Sequence, residues 1–431
     1  MFHKKYFVWN IVLISWILFL TAASISNAQT DLSYYLNAAF KNSPALKESV
    51  GLIQINEIEK KLAESRYSLP QISLTSNYLF APFFNNNGKI ISANPDPGAV
   101  GYDVGITNGG LYSAQLNFEK NIFNGGLIDA YKNQSEINIA AQKNSSELIR
   151  HNIIKDVTDQ YINAYQAQQM LLLSKSVRES LENQEKLTEE LVNKGLSKQS
   201  ELLLLRIEIQ NQHIQSDQLD GEVKKNLAEL NTLCGLKDSA DTGLKKAELE
   251  IESKTRGTGF LKQFENDSLL VENQQSVFET KYLPQVNLFF NTGLNAVEIE
   301  GIQKKLGLSA GINFSLPIYD GDQKNLTKQQ TEISLKSIHS YKENQRLAIS
   351  NRIRDSKIQI ELNRKNLQNI KTQMEQYDQA LKLAQAELNR GQFTVIEYIT
   401  MIRNYLELKK NLVTTECSLL FAINQYNYWN W

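Results

Sequence analysis

The sequence predicts an α+β fold built from an internal two-fold repeat, in which β-strands alternate with helices of unusual length. Three observations support this prediction. Landmark residues recur in the same order in both halves, short segments alternate between apolar and polar residues, and two very long stretches lack proline and interior glycine. The chain has 431 residues, of which 42% are hydrophobic and 22% are charged. That length suffices for two or three ordinary domains.

Residues 1–28 are predicted to be a secretory signal peptide. Lys4 and Lys5 form a short basic region, an apolar run covers 6–20, and small residues occupy the positions before the expected cleavage site. An uncleaved anchor helix is the alternative, but the apolar run is short for a full membrane span. We therefore expect export of a mature chain that starts near Gln29.

Composition and motifs argue against several classes of protein. The net charge is −1, so no basic field for nucleic acid exists and no nucleic-acid partner is expected. The four histidines are isolated, and metal-ligand spacings, a phosphate-binding glycine loop and a nucleophile elbow are absent from the sequence. We expect no catalytic residue, no metal and no cofactor, and an enzyme is the least favoured class. Cys234 and Cys417 are predicted to be buried, inert thiols, with a disulfide as the alternative.

The repeat defines the predicted domains. Asn193-Lys194-Gly195 with Glu201 matches Asn389-Arg390-Gly391 with Glu397, and the same offset relates the turn at 124–126 to the turn at 320–322. We predict a first repeat over 29–235, an equatorial insertion over 236–259 and a second repeat over 260–431.

Each repeat is predicted to contain one strand pair, at 71–80 with 111–120 and at 285–295 with 305–316. In the last of these segments the residues of one face are apolar throughout: Leu306, Leu308, Ala310, Ile312, Phe314 and Leu316. Strands of about ten residues with an apolar face are typical of transmembrane β-barrels. The alternation alone fits a sheet that covers a soluble core equally well.

The helices are the longest elements of the prediction. Ile128–Asn193 and Asn325–Arg390 would each run about 100 Å. The second contains apolar residues at alternating steps of three and four, which indicate a coiled-coil seam: Leu367, Ile370, Met374, Tyr377, Leu381, Ala384 and Leu388. Gly195 and Gly391 then reverse the chain, as expected where a helix end needs positive φ. Shorter helices complete the pattern: Ala45–Tyr67, Ser197–Leu233, Phe260–Tyr282 and Thr394–Asn427.

Three segments together resemble the TolC-type outer-membrane efflux proteins: Asn42 to Leu46, Leu69 to Ile72, and Phe314 to Gly321. The twin glycine turns with their downstream acids resemble that family too, and the match covers essentially the whole mature chain. The resemblance implies a membrane α+β fold. Each chain would give four strands to a trimeric transmembrane β-barrel that is continuous with a long periplasmic α-helical barrel.

The strands support oligomerisation independently of the resemblance. Four strands leave two open edges, and open edges are not tolerated in hydrocarbon, so the chain must assemble to close the sheet. Loops 81–110 and 296–304 would then face outside, and the two glycine turns would lie at the periplasmic tip.

The resemblance also implies the function and the partners. The protein would be the exit duct of a tripartite efflux pump or type I secretion system, a passive conduit for drugs, small molecules or proteins. It would lie in the outer membrane of a Gram-negative-type cell, with a large periplasmic portion. Its partners would be itself as a homotrimer, a periplasmic adaptor, a proton-driven or ATP-driven inner-membrane pump and outer-membrane lipid. The alternative is a structural periplasmic coiled-coil spacer without channel activity.

Site residues follow from the resemblance position by position. The adaptor-docking turns would contain Lys194, Gly195, Leu196 and Ser197 in one repeat, and Arg390, Gly391, Gln392 and Thr394 in the other. The glycines also fit as simple hairpin caps. The pore constriction would contain Glu397 and, one turn later, Thr400, where the family has a second acid. The alternative is that Glu397 is a solvated or inter-helix carboxylate.

The predicted periplasmic gate departs from the family. The position of the family's basic gate residue is occupied by Phe393, and its partners across the tip would be Ser200 and Glu201. A phenyl ring cannot form an ion pair. We therefore expect the closed state to depend on packing or on other polar contacts.

Overall fold

The structure is a computed structural model. It describes residues 30–93, 97–103, 106, 110–195, 197–237, 243–253, 259–390 and 392–431. The predicted signal peptide, Leu196 and Gly391 lie outside the described residues, as do parts of the insertion predicted at 236–259.

Helices make up most of the described chain. Their bounds are α1 Leu32–Asn42, α2 Pro44–Ser68, α3 Leu127–Asn193, α4 Gln199–Leu233, α5 Lys262–Glu279, α6 Gln323–Asn389 and α7 Val395–Trp429. The two long helices α3 and α6 have 67 residues each, and the returning helices α4 and α7 have 35 each. Among these described helices, none combines the length and the apolar character that a membrane span requires.

Helix α1 was not expected from the sequence, which predicts one helix before the first strands. The Asp31 carboxylate caps α1 by accepting from the Tyr34 backbone N–H at 3.1 Å. The helix ends at Asn42 and α2 starts at Pro44. Proline disfavours the helical conformation of the residue before it but fits the first turn of a helix, so Ser43 separates two helices.

A four-stranded antiparallel sheet follows the order β1-β4-β5-β6, with β1 and β6 at its edges. Its strands are β1 Gln71–Phe80, β4 Gly110–Phe123, β5 Gln285–Ala296 and β6 Leu306–Ser315. They lie where the alternation predicts strands. The region expected to be a loop at 81–110 differs, because it contains a small hairpin made of β2 Phe83–Asn86 and β3 Lys89–Ser92.

The register of the sheet gives it one apolar and one polar face. Leu74, Leu116, Thr292 and Leu308 lie side by side across the four strands. The next row, on the opposite face, is Ser73, Asn117, Asn291 and Ser309. Leu308 is 73% exposed and Ile312 is 67% exposed, so this chain alone does not cover the apolar face.

The chain forms two compact units, and the sheet belongs to the unit of residues 48–146 and 261–344. The other unit contains residues up to 47, 147–260 and 345–431. One of its apolar clusters contains Cys234 and Cys417, which are free and buried. Burial raises the pKa of each thiol to about 11, as the prediction of inert thiols requires.

A second cluster of this unit lies beside the two turns that the sequence singled out. It contains Leu181, Leu205, Leu388 and Tyr398 among its buried members. The seven predicted seam residues of α6 are all buried or half-buried, and the coiled-coil packing itself stays a prediction.

Candidate functional site

The first candidate turn joins α3 to α4 and depends on one glycine. The backbone N–H of Gly195 donates to the Val192 carbonyl at 2.9 Å, and Gly195 has a φ of +73°. A Cβ at this position would meet no atom within 4 Å. Glycine is therefore favoured here by the backbone conformation and not by crowding.

Polar side chains surround this turn. The Ser197 hydroxyl donates to the Glu201 carboxylate at 2.6 Å, while Lys198 occupies the N-cap without a side-chain capping bond. Lys194 and Ser200 are exposed. The first turn thus presents a solvated surface whose only acid, Glu201, is engaged by its own helix start.

The second candidate turn joins α6 to α7 and contains a capping box. The Thr394 hydroxyl accepts from the Glu397 backbone N–H at 3.3 Å, and the Glu397 carboxylate accepts from the Thr394 backbone N–H at 2.9 Å. Arg390 and Gln392 both donate their backbone N–H to the Glu387 carbonyl. This reciprocal arrangement satisfies donors that a helix start otherwise leaves free.

Glu397 therefore has a role that the sequence analysis missed. The bonds from the Thr394 backbone and hydroxyl hold the pKa of its carboxyl below the ordinary value. The signal was present in the sequence, because threonine followed three positions later by glutamate is the capping-box pattern. Thr400 is exposed one turn further on, and its hydroxyl donates to the Ile396 carbonyl at 2.9 Å.

The predicted gate residues have separate surroundings within one chain. Phe393 is half-buried and packs against the apolar cluster beside the turns. Glu201 accepts from Ser197, as described above, and Ser200 is exposed. Phe393 thus makes apolar contacts within the single chain, and a role in closing the entrance stays a prediction.

An ion pair between a buried glutamate of α4 and an exposed arginine of α7 was not predicted. Arg403 donates from Nε to a Glu208 carboxylate oxygen at 3.1 Å, and its Nη2 makes a second, shorter bond. Glu208 is only 4% exposed. Burial alone would raise the pKa of Glu208, but hydrogen bonds from Arg403 and Gln212 outweigh it and lower the pKa. The pair fixes α4 against α7 above the turns, since a buried carboxylate without a cation is costly.

The described part of the chain shows no cluster of His, Cys, Asp and Glu suited to a metal ion. The features available for function are thus two polar helical turns, an ion pair above them and a two-faced sheet.

Comparisons with known proteins show which family and which solved structures this chain is similar to. Residues 272–425 match the family model of the outer membrane efflux protein. A search of curated proteins by sequence found no match.

Solved structures match over nearly the whole chain. The CmeC outer membrane channel of Campylobacter jejuni has a TM-score of 0.72 at 16% identity, covering 92% of this chain and 85% of that one. The outer membrane protein VceC of Vibrio cholerae has a TM-score of 0.70 at 14% identity, and the match covers 92% of this chain and 94% of that one. CusC, described in terms of transmembrane channel formation, has a TM-score of 0.73 at 12% identity, and the match covers 94% of this chain and 92% of that one. Likeness at these identities establishes the fold.

Proposed function

Because this chain carries the outer membrane efflux protein domain over residues 272–425 and has the fold of outer-membrane channels, we propose that it is an outer-membrane exit duct of an export machine. The family is one of channels and not of enzymes. In the proposal, three copies join their sheets into a transmembrane β-barrel, and their helices continue it as a periplasmic α-helical barrel. Substrate would pass through passively.

The two-faced sheet is the observation that supports this proposal most directly. On its apolar face, the row of Ile72, Phe118, Phe290 and Ala310 is apolar on all four strands, and the apolar side chains of the edge strand β6 are largely exposed. Its polar face consists mainly of Asn, Ser, Gln, Thr and Gly. Such a sheet suits lipid on one side and water on the other, provided that other copies pair with the edges β1 and β6.

The helical turns support the second part of the proposal. Two turns with exposed residues, Lys194 and Gly195 in the first and Arg390 and Gln392 in the second, fit a surface on which a periplasmic adaptor binds. The adaptor would link the channel to a proton-driven or ATP-driven inner-membrane pump. Glu397 and Thr400 would line the narrow end, where Phe393 would help close the entrance by packing.

A planar-bilayer experiment tests the duct. Purified protein should form trimers that migrate differently in mild detergent before and after heating, and should produce discrete conductance steps in the bilayer. A coiled-coil spacer, the competing candidate, should wash off membranes without detergent and produce no steps. Extraction without detergent, together with silent bilayers, would refute the proposal.

The docking turns are tested at Gly195, where the surrounding space is open. Valine there should cost roughly 1–2 kcal/mol because a β-branched residue resists positive φ. It would also add a side chain to the proposed contact surface. We expect Gly195→Val to abolish export while trimers still insert in the outer membrane.

Gly195→Asn is the matched control, since asparagine tolerates the left-handed conformation. It should retain more export than valine in the same assay of cellular drug accumulation. Normal export by the valine variant would show that this turn is not the docking surface.

A further inference from the structure

The hairpin β2–β3 and the turn between β5 and β6 lie at opposite edges of the sheet. The hairpin follows directly from the end of β1, one edge strand, and the turn leads directly into β6, the other. Both lie at one end of the sheet, and α2 leads into β1 at the opposite end. Closing a barrel from several copies would therefore bring the hairpin of one copy beside the turn of the next.

The hairpin presents an exposed row of three apolar side chains. Phe84 pairs with Ile91 on one side and exchanges two backbone hydrogen bonds with Val100 on the other, at 2.7 and 2.9 Å. The three residues are therefore neighbours on one face, and they are between 47% and 64% exposed. On the other face Phe83 is buried, and its ring occupies the space where a Cβ of Gly101 would lie. The hairpin is thus anchored on its opposite face by the buried Phe83.

The turn between β5 and β6 offers matching groups. Val297 and Ile299 are exposed, Ile299 by 65%, and Glu300 follows them at the surface. The hairpin contributes one charge of opposite sign, the exposed Lys89. Since both apolar groups are exposed in the single chain, they do not cover each other within it.

We propose that the apolar row of one copy, Ile91, Phe84 and Val100, packs on Val297 and Ile299 of the adjacent copy, with Lys89 facing Glu300. This contact would form an intersubunit clasp outside the membrane, beyond the last backbone bonds of the joined strands. It rests on the proposed barrel, since only pairing of β1 with a second copy's β6 places the two segments together. Apolar groups would leave water, and the flanking opposite charges would favour this partner over a like-charged surface.

Cysteine crosslinking tests the clasp in the full-length protein in outer membranes. Both native cysteines are buried, so introduced thiols can be followed selectively. Ile91→Cys combined with Ile299→Cys should give covalent dimers and trimers on non-reducing denaturing gels. Each single variant should stay monomeric on the same gels. Ile90→Cys with Ile299→Cys is the matched control, because Ile90 neighbours Ile91 in the strand but lies on the other face, and its yield should be several-fold lower.

Charge reversal provides a second test that leaves the apolar row intact. Lys89→Glu or Glu300→Lys alone should lower the crosslinking yield of the Ile91→Cys and Ile299→Cys pair several-fold. The two reversals combined should restore it.

The failures of clasp and barrel can be told apart by the migration of unheated protein. Intact trimers without interchain crosslinks would overturn the clasp alone. This holds whether the apolar row of the hairpin then contacts water or lipid. The absence of any trimer would overturn the clasp and the proposed barrel together. Equal crosslinking yields for the Ile90 and Ile91 pairs would also overturn the clasp, because the apolar row would then have no defined face toward the adjacent copy.

Discussion

Glu397 lies where a helix cap and a proposed pore lining coincide. Its bonds with Thr394 lower the pKa of its carboxyl. Three copies gathered around a narrow axis would raise that pKa through mutual repulsion. The two effects have opposite signs, so the titration of Glu397 in the assembled protein reports which of them is larger.

Two substitutions separate these roles. Glutamine keeps the capping bond, whereas alanine removes both the bond and the charge. If Glu397 lines the constriction, Glu397→Gln should lower cation selectivity and remove block by multivalent cations from the periplasmic side. It should leave the thermal midpoint of the helical signal nearly unchanged. Only Glu397→Ala should lower that midpoint.

Thr400→Asp serves as the gain-of-function control, since it adds a second acid one turn along and should strengthen the block. Unaltered conductance, selectivity and block in Glu397→Gln would assign Glu397 to the cap alone.

The contribution of the Glu397 cap to stability depends on pH in one direction. The folded pKa lies below the unfolded value of about 4.3, so the stabilisation is fully present above that value. It is lost as the pH falls through the folded pKa.

Residues differ in how far the sequence alone could predict their roles. The cap of Thr394 and Glu397 is a local pattern and could have been recognised. The bond between Arg403 and Glu208 joins positions far apart in the chain, and its burial depends on how α4 meets α7. No periodicity within either helix indicates which charged residue will find a partner across such a distance.

At the scale of elements, alternation predicts the strands because period two follows directly from the geometry of an extended chain. The same approach missed the hairpin β2–β3, whose strands are short and whose surroundings are rich in Asn and Gly. Its signal was the pair Asn87-Gly88, which suits a two-residue hairpin turn because both residues adopt positive φ. Helix α1 was not predicted, because Pro44 marks a strong helix start and the sequence before it is a short segment of only 11 helical residues.

Strand β6 permits a paired test of membrane exposure. Leu308→Lys places a charge on the apolar face, which should cost roughly 2–4 kcal/mol near the middle of a bilayer. Ser309→Lys places the same charge on the polar face and should have a mild effect. The measurement is folding into lipid vesicles, followed by the migration difference between heated and unheated protein. If Leu308→Lys and Ser309→Lys reduced folding into vesicles equally, lipid contact by the apolar face would be contradicted.

At the scale of the whole molecule, the sheet order β1-β4-β5-β6 decides which strands need a second copy. The sequence predicted four strands but not their order, because hydrophobic periodicity describes one strand at a time. The central pair unites strands from the two halves of the chain, and the edges β1 and β6 also come from different halves. Each copy therefore offers two different edges, which fit head-to-tail pairing around a closed ring.

This head-to-tail pairing predicts that stability depends on concentration. In the proposed trimer, the heating midpoint in detergent should rise with total protein, because dilution favours separated chains. The midpoint is measured from the intensity of the trimer band on unheated gels. The helical circular-dichroism signal, to which α3 and α6 contribute, is a second probe. A midpoint independent of protein concentration over a hundredfold dilution range would indicate a chain that is stable as a monomer.

The central strand pair also sets an order of events during folding. Tyr112 pairs with Ala296 and Phe123 with Val286, so the whole of α3, α4 and α5 intervenes between partners. Closing so long a loop lowers the chain entropy, and only the contacts of the completed strand pair offset this loss. Such distant contacts therefore form slowly. The pair of β1 and β4 can form early, as a hairpin does. Its apolar face then stays exposed to water until β5 pairs with β4. If the chain is exported as proposed, its first half would need protection from aggregation until the second half arrives.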